Sequence, residues 1–459
     1  MVRRVVVAWG MLWGAASCSG IVGLDGLTFD GGTEAAGGTA STGGGDGPGA
    51  AGGGGRPDGP SVFVDQTGTD FNAGRPNGMV VVGDAVSLPS ERTEGHFVSR
   101  VFDAERDVEV TAIEWLPGGA YGKPLPIEAE AGYPEHTLDL STAVLVLDFD
   151  GPEVLADRTG TVANVEVVGA GFTLESGIFG QGYRDTLDTH LQFDVGVDGA
   201  FDFGTRDFTW AYWIKSDQPC VDGPGVSANK VHLGVEESDA DDTHLWLGCS
   251  SEYVCEGSSS AGRLTGNLRT TTNENRGFCG LTRIDDGMWH HLALVKEGHS
   301  SIDDPDADTI IRLYVDGQLD RTETANLPAP AELAGPVPFH IGGFNGGQYE
   351  SYGTFDDVVI DLRAWRPEDV RAAYARHAMN LDVRVRTCSE PTCEDGADWG
   401  EIPALMDAPD ETLVPARRDV SSSPPGRYVQ YRVGASNDRT SELDGPRFDL
   451  VRVFVRPSG

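Results

Sequence analysis

The sequence is short of positive charge. Its 459 residues include 34 Lys and Arg against 72 Asp and Glu, which gives a formal net charge of −38 at pH 7. A chain with this charge repels the phosphate backbone of nucleic acids. We therefore expect no nucleic-acid partner, and the scattered acidic residues are typical of a solvent-exposed surface.

Short catalytic motifs are also missing. The sequence contains no HExxH, no GxSxG and no glycine-rich phosphate loop. These absences argue against the metalloprotease, serine hydrolase and nucleotide-binding classes.

Long apolar runs are lacking too, since none reaches the roughly 20 residues that span a bilayer. The short apolar run at residues 5–16 follows two arginines, as in a secretory signal. Residues 15–17 and Cys18 are similar to the cleavage box of bacterial lipoproteins, although the box usually has Leu where Ala15 stands. We expect residues 1–17 to be a lipoprotein signal peptide and Cys18 to carry the lipid. An ordinary signal peptide with a chance cysteine is the alternative.

A lipid anchor would hold the protein on a membrane outside the cytoplasm. One acyl chain contributes ~0.8 kcal/mol per buried CH₂ and binds only marginally, so a stable anchor needs the several chains that the resemblance implies. Ser19 follows Cys18 where Asp would favour inner-membrane retention, and we therefore expect an outer-membrane location in the cell envelope.

A glycine-rich segment follows the proposed lipid site. Residues 31–60 include 14 glycines and almost no large apolar side chain, so this segment has nothing with which to form a core. A flexible tether of this length spans about 30 Å r.m.s.. We expect residues 18–60 to be the lipidated cysteine followed by a disordered linker.

The cysteines number seven, and removing Cys18 leaves an even set. An even set in an exported protein predicts disulfides. Cys388 and Cys393 are expected to pair, which would stabilise the fold by roughly 2 kcal/mol in the chain-entropy model. The other four are Cys220, Cys249, Cys255 and Cys279. They allow three pairings, of which we favour Cys249–Cys255 with Cys220–Cys279. A zinc cluster is a less favoured alternative because no CxxC spacing occurs.

Apolar and polar residues alternate on both sides of a central region, which predicts strands with one buried and one solvated face. The clearest runs are 97–102 (FVSRVF), 108–115 (VEVTAIEW), 381–386 (LDVRVR) and 427–433 (RYVQYRV). Neither flank alone supplies enough strands for a stable sandwich. We expect 61–140 and 379–459 to form one small antiparallel β-sandwich, with 141–378 inserted into it. Two unrelated small domains are the alternative.

The central region contains strand-sized runs in a fixed order: 143–151, 207–215, 288–296, 311–319, 339–343 and 355–365. Four shorter motifs accompany them: GIFGQG at 177–182, WHHLA at 289–293, YVDG at 314–317 and FDDV at 355–358. Together they resemble the laminin-G-like, concanavalin-A-like jelly roll. The resemblance implies an all-β protein, with a jelly-roll sandwich over 141–378 that ends in a short helix beginning near Pro367. That fold usually binds its ligands through surface loops.

The related glucanases carry catalytic carboxylates on one strand as E-x-D-x-E or E-x-D-x-x-E. No such string occurs, and residues 355–361 hold three Asp but no Glu at that spacing. We therefore expect a binding protein and not an enzyme. A divergent glycosidase, which would need two converging carboxylates, is the least favoured alternative.

One acidic loop is a candidate calcium site. Asp303, Asp304, Asp306 and Asp308 crowd residues 303–308, and calcium takes six to eight oxygen ligands, often from such loops. The alternative is a solvated acidic loop tip. Calcium is the only candidate cofactor, and the sequence establishes none.

A second loop is a candidate ligand site. Asn345, Tyr349 and Tyr352 lie between two late strands, and such side chains stack on sugars and form hydrogen bonds with them. The alternative is a glycine-rich hairpin with half-buried tyrosines.

These features predict a lipid-anchored, extracytoplasmic binding or adhesion protein. Its partner would be a glycan or an envelope or extracellular protein, recognised through jelly-roll loops. A structural envelope component without a small ligand is the alternative.

Overall fold

The structure is a computed structural model. It describes residues 61–127, 129, 138–169, 171–186, 189–194, 203, 207–220, 229–236, 244–250, 261–269, 275–298, 309–325, 338–343, 349, 351–405, 415–421, 423–438, 443 and 445–458. Cys18 and the predicted linker lie outside these residues.

The first flank contains six strands and one short helix. They are β1 (Val62–Asp65), α1 (Gly68–Asn72), β2 (Arg75–Asn77), β3 (Val80–Val82), β4 (Ala85–Ser87), β5 (Glu94–Val98) and β6 (Phe102–Pro117).

The described residues of the central region form fifteen strands and a second helix. They are β7 (Ala143–Leu147), β8 (Glu166–Val168), β9 (Thr173–Ser176), β10 (Gln181–Arg184), β11 (His190–Asp194), β12 (Phe208–Ser216), β13 (Lys230–Glu236), β14 (His244–Ser250), β15 (Arg263–Arg269), β16 (Asn275–Arg283), β17 (Trp289–Glu297), β18 (Thr309–Val315), β19 (Gln318–Ala325), β20 (Pro338–Ile341), β21 (Gly353–Asp361) and α2 (Pro367–Ala378).

The second flank adds four strands, which are β22 (Met379–Cys388), β23 (Ala416–Asp419), β24 (Gly426–Asn437) and β25 (Arg447–Pro457).

Strands of the two flanks are hydrogen-bonded to one another in one sheet. Their order is β2-β5-β24-β6-β25-β4-β3, and β1, β22 and β23 pair with β25, β24 and β6. Phe71 packs between Phe97 of β5 and Phe448 of β25, with ring centroids 5.8 and 5.6 Å away. The flanks therefore share one core. The predicted domain bounds, 61–140, 141–378 and 379–459, stay predictions.

The central region forms two antiparallel sheets packed face to face. The eight-stranded sheet has the order β19-β18-β17-β12-β21-β10-β9, with β7 beside β21, and the seven-stranded sheet has the order β16-β15-β14-β13-β20-β11-β8. Their shared core includes Trp210, Tyr212, Leu247, Phe339 and Phe355. The all-β fold class, a jelly roll combined with a second antiparallel unit, is confirmed.

Two local predictions also hold. Helix α2 begins at Pro367, which fits a first helical turn because it needs no backbone N–H there. The Asp316-Gly317 pair joins β18 to β19 with φ of 50° and 76°, the positive values that a tight hairpin turn requires.

The outer face of the eight-stranded sheet is apolar and covered. Ala211, Ala293 and Val359 on this face pack against Val370 and Ala373 of α2. Leu125, Leu138 and Leu140 join the same cluster. Among the described residues, no helix is both long and apolar enough to span a membrane.

Candidate ligand-binding face

The seven-stranded sheet presents a second outer face, directed away from the jelly-roll core. Because successive side chains of a strand point to opposite faces, the core residues Leu245 and Leu247 place His244 and Trp246 on that outer face. The same reasoning applies to β11, β15 and β20. We call the resulting set the outer polar face: His190, Gln192, His244, Trp246, Thr265, Asn267 and His340.

Trp246 is the aromatic centre of this face. It forms a small cluster with Val231, separate from the jelly-roll core, and Tyr349 packs against that cluster. The carbonyl of Tyr349 accepts a hydrogen bond from the Val231 N–H at 2.9 Å. Trp246 is 5% exposed, and His190, Thr265, Asn267 and His340 are buried as well. Gln192 and His244 of the face and the adjoining Tyr349 are half-buried, so these three side chains are the accessible ones.

Three histidines supply hydrogen-bonding groups around the tryptophan. The rings of His190 and His340 lie 5.2 Å apart, and His244 Nε2 lies 2.6 Å from Asn267 Oδ1. Burial, helped by the charge of His190, lowers the pKa of His340 to about 3, and burial also lowers the pKa of His190. Both imidazoles are therefore neutral near pH 7 and offer one donor and one acceptor each.

The predicted loop residues lie beside this face. Tyr352 has a φ of 53°, and its N–H donates to Asp185 Oδ2 at 2.9 Å. The same oxygen accepts from the Ser351 hydroxyl at 2.6 Å. The ammonium of Lys230, on β13, lies 4.7 Å from the centroid of the Tyr352 ring. Tyr349 and Tyr352 thus both contact β13, while Asn345 lies outside the described residues.

The sequence reasoning missed most of the outer polar face. A signal was present, because HLWLGCS in β14 and HLQFD in β11 both alternate core residues with Trp, His or Gln. The face draws on four strands that are far apart in the sequence, so only the sheet order brings these residues together. None of the seven residues is Asp or Glu, but the same alternation directs Asp194 of β11 outward, and Glu166 of β8 is the cross-strand partner of Gln192. The face therefore has acidic residues at its β8–β11 edge.

The disulfides correct one prediction. Cys388 and Cys393 are bonded, as expected, but Cys220 is bonded to Cys249. The favoured pairing of Cys249–Cys255 with Cys220–Cys279 is therefore wrong.

The physical reason for this correction is side-chain direction. Cys220 and Cys249 both belong to the jelly-roll core, whereas Cys279 follows the core residue Phe278 on β16 and so points to the opposite face. Cys279 is also disulfide-bonded, and Cys255 lies outside the described residues.

Metal-binding groups are scarce in the described part of the chain. There, only Cys220, Cys249 and Asp285 bring three ligand atoms within 4.8 Å of one another. Their two sulfurs form a disulfide and are not the thiolates that a metal needs. The candidate calcium ligands Asp303, Asp304, Asp306 and Asp308 lie outside the described residues, so the calcium site stays a prediction.

A second acidic group lies on β21, among the three Asp noted in residues 355–361. Burial, followed by the charge of Asp357, raises the pKa of Asp356. Asp356 accepts the N–H groups of Phe179 and Asp357 at 3.2 and 2.9 Å. Asp357 contacts Nδ1 of the His377 ring. Since both carboxylates are engaged within the protein, we assign them a structural role.

The comparisons with known proteins agree with this fold. Residues 188–371 match the laminin-G family model described as the Concanavalin A-like lectin/glucanases superfamily. The chain contains a concanavalin A-like jelly roll, as the sequence motifs predict, and this fold supports a binding role. No curated protein matches the chain.

Three solved structures illustrate the likeness. Domain 4 of AbnA, a GH43 extracellular arabinanase from Geobacillus stearothermophilus solved with arabinotriose, is 16% identical over 51% of this chain and 98% of its own, with a TM-score of 0.38. The binding domain of Paraclostridial Mosquitocidal Protein 1 is 13% identical over 60% and 69%, with a TM-score of 0.38. The binding domain of botulinum neurotoxin serotype D is 13% identical over 55% and 54%, with a TM-score of 0.37. Likenesses this distant carry no argument about function.

Proposed function

We propose that this protein binds a glycan through the outer polar face and is displayed on the cell envelope by a lipid on Cys18. The observation that carries the first part is the composition of the face. A tryptophan and a tyrosine lie among side chains that donate and accept hydrogen bonds, of which Gln192 and His244 are half-buried and Asn267 and His340 are buried.

Sugars present apolar C–H faces and a ring of hydroxyl groups. Aromatic rings cover the first, and amides and neutral imidazoles pair with the second. Trp246 supports Tyr349 from below, so the accessible ring is held in place before a ligand arrives. Such preorganisation reduces the entropy lost on binding.

A glycan array followed by titration calorimetry tests the first part. The chain from residue 18 onward, with Cys18→Ser, should bind at least one class of polysaccharide. Tyr349→Ala and Gln192→Ala should each weaken binding about tenfold, which corresponds to ~1.4 kcal/mol. Tyr428→Ala is the matched control, because Tyr428 is a half-buried tyrosine on β24, in the unit formed by the flanks. Binding that survives the first two variants, or no binding to any glycan, would contradict the proposal.

Metabolic labelling with an alkyne fatty acid tests the anchor. The full chain expressed in a Gram-negative host should carry the label in the membrane fraction, and Cys18→Ser should carry none. Equal labelling of both chains, or no label on either, would remove Cys18 as the lipid site.

A further inference from the structure

The strands at one edge of the seven-stranded sheet are rich in arginine. β15 (RLTGNLR) and β16 (NRGFCGLTR) contain four arginines and no Asp or Glu. The chain as a whole has 72 acidic and 34 basic residues. An all-basic pair of strands is therefore a local reversal of the protein's charge.

Three of these arginines lie on the side of the outer polar face. Leu264 and Phe278 belong to the core, so alternation directs Arg263, Arg269 and Arg283 outward. Arg276 is cross-strand to Leu268, which packs against the core, and lies on the other side of the sheet edge.

Two of the outward arginines face each other directly. Arg263 and Arg283 are cross-strand partners, and like charges in this position destabilise a sheet. Arg283 Nε donates to Asp285 Oδ1 at 2.5 Å, and Asp285 is held in place by the Cys220 N–H at 2.9 Å. No ion pair of Arg263 occurs within the described part of the chain.

Of these two guanidinium groups, that of Arg283 is therefore neutralised by Asp285, and that of Arg263 is not. Arg283 is 64% exposed along its side chain and Arg263 is half-buried, so an anion can reach both. A guanidinium binds a carboxylate or sulfate through two parallel hydrogen bonds. An anion placed here would also relieve the repulsion between the two arginines.

We propose that the ligand of the outer polar face is an acidic glycan, and that Arg263, beside Arg283, binds its carboxylate or sulfate group. This inference rests on the proposed function and specifies the class of glycan. Tyr349, Gln192 and His244 would contact the sugar rings while the arginine pair selects for charge.

Matched neutral and acidic polymers test this inference. Oligogalacturonate is compared with its methyl ester, and dextran sulfate with dextran, by calorimetry on the Cys18→Ser chain. At least one acidic form should bind tenfold or more tightly than its neutral counterpart. Binding of oligogalacturonate alone assigns a carboxylate, and binding of dextran sulfate alone assigns a sulfate.

Variants on the same pair of strands supply the control. Arg263→Gln should lower the affinity for the acidic form about tenfold, and Arg276→Gln, on the other side of the sheet edge, should leave it unchanged. Arg263→Lys keeps the charge but loses the paired hydrogen bonds, so its affinity for the acidic form should lie between those of the other two variants. It serves as the test if Arg263→Gln fails to fold.

Several outcomes would overturn the inference. Equal or tighter binding of the neutral polymers would do so while leaving the glycan-binding face intact. Equal losses in Arg263→Gln and Arg276→Gln would indicate general charge attraction instead of a site. Failure to bind any glycan would remove both the inference and the proposed function.

Discussion

The two outer faces of the jelly roll have opposite characters. On the eight-stranded sheet, small apolar residues such as Ala211, Ala293 and Val359 lie under α2. On the seven-stranded sheet, the equivalent positions hold Trp246 and hydrogen-bonding residues such as His340 and Asn267. Both faces follow from the same strand alternation, so the difference comes entirely from which residues point outward.

This difference separates a packing surface from a recognition surface. An apolar face must be covered to be stable, and here α2 and the segment before β7 cover it. Most of the outer polar face is buried too, but Gln192, His244 and the adjoining Tyr349 are half-buried polar side chains that solvent reaches. The face under α2 therefore stabilises the protein, and the outer polar face is where we place binding.

The largest expected effect is on the covered face. Trp365 is 1% exposed, and its Nε1 donates to the buried Asp361 Oδ2 at 2.6 Å. Trp365→Ala should lower the free energy of unfolding by about 3–5 kcal/mol, measured by urea denaturation. Gln192→Ala, on the outer polar face, should change it by less than about 0.5 kcal/mol. A similar loss of unfolding free energy in both variants would show that the two faces do not differ in their contribution to stability.

The next largest effect concerns the Cys220–Cys249 disulfide. It links β14, which carries Trp246, to the segment that follows β12. Cys220 and Cys249 are 29 residues apart, so in the chain-entropy model their bond stabilises the fold by roughly 3.5 kcal/mol. The double variant Cys220→Ser/Cys249→Ser should lose about this much stability. It should also lose glycan affinity, since β14 belongs to the outer polar face.

The short disulfide is the control for that variant. Cys388 and Cys393 are five residues apart, so their removal should cost only about 2 kcal/mol and leave glycan affinity unchanged. If the two double variants change glycan affinity equally, β14 has no specific role in binding.

A smaller effect comes from buried histidines, which occur on both outer faces. Burial lowers the pKa of His291, beside Trp213, to about 3, as it does for His340. The unfolded chain takes up a proton near pH 6.5 and the folded chain does not. Stability is therefore complete above that pH and is lost as the pH falls towards 3.

Between pH 7 and pH 5.5, each of these histidines should account for roughly 1 kcal/mol of the loss. His291→Gln and His340→Gln should each reduce the difference in unfolding free energy between those two pH values by this amount. A wild-type difference retained in either variant would show that its histidine is protonated in the folded state.

The smallest expected effect is on binding between pH 8 and pH 6. Because the lowered pKa of His340, about 3, keeps this ring neutral in this range, its contribution to glycan affinity should change less than about twofold. Calorimetry at three pH values measures this. A titration step near pH 6.5 would mean that a charged imidazole contacts the ligand.

Much of the fold could be predicted from local sequence. The YVDG motif specifies its own hairpin, Pro367 marks the start of α2, and Cys388 bonds to Cys393, five residues further on. Each of these features depends on residues a few positions apart.

The outer polar face and the Cys220–Cys249 bond could not be predicted in the same way. Cys249 pairs with Cys220 because both point into the core, and that direction depends on the register of β14 against β13 and β15. His340 lies beside His190 because β20 pairs with β11. Such long-range pairings are set by the whole sheet, and no local pattern encodes them.

Hydrogen–deuterium exchange with a bound glycan tests the central claim most directly. We expect ligand to slow amide exchange in β11, β14, β15 and β20 and to leave α2 and the strands beneath it unchanged. Protection confined to α2, or to the strands of the flanks, with none in these four strands, would contradict the assignment of binding to the outer polar face.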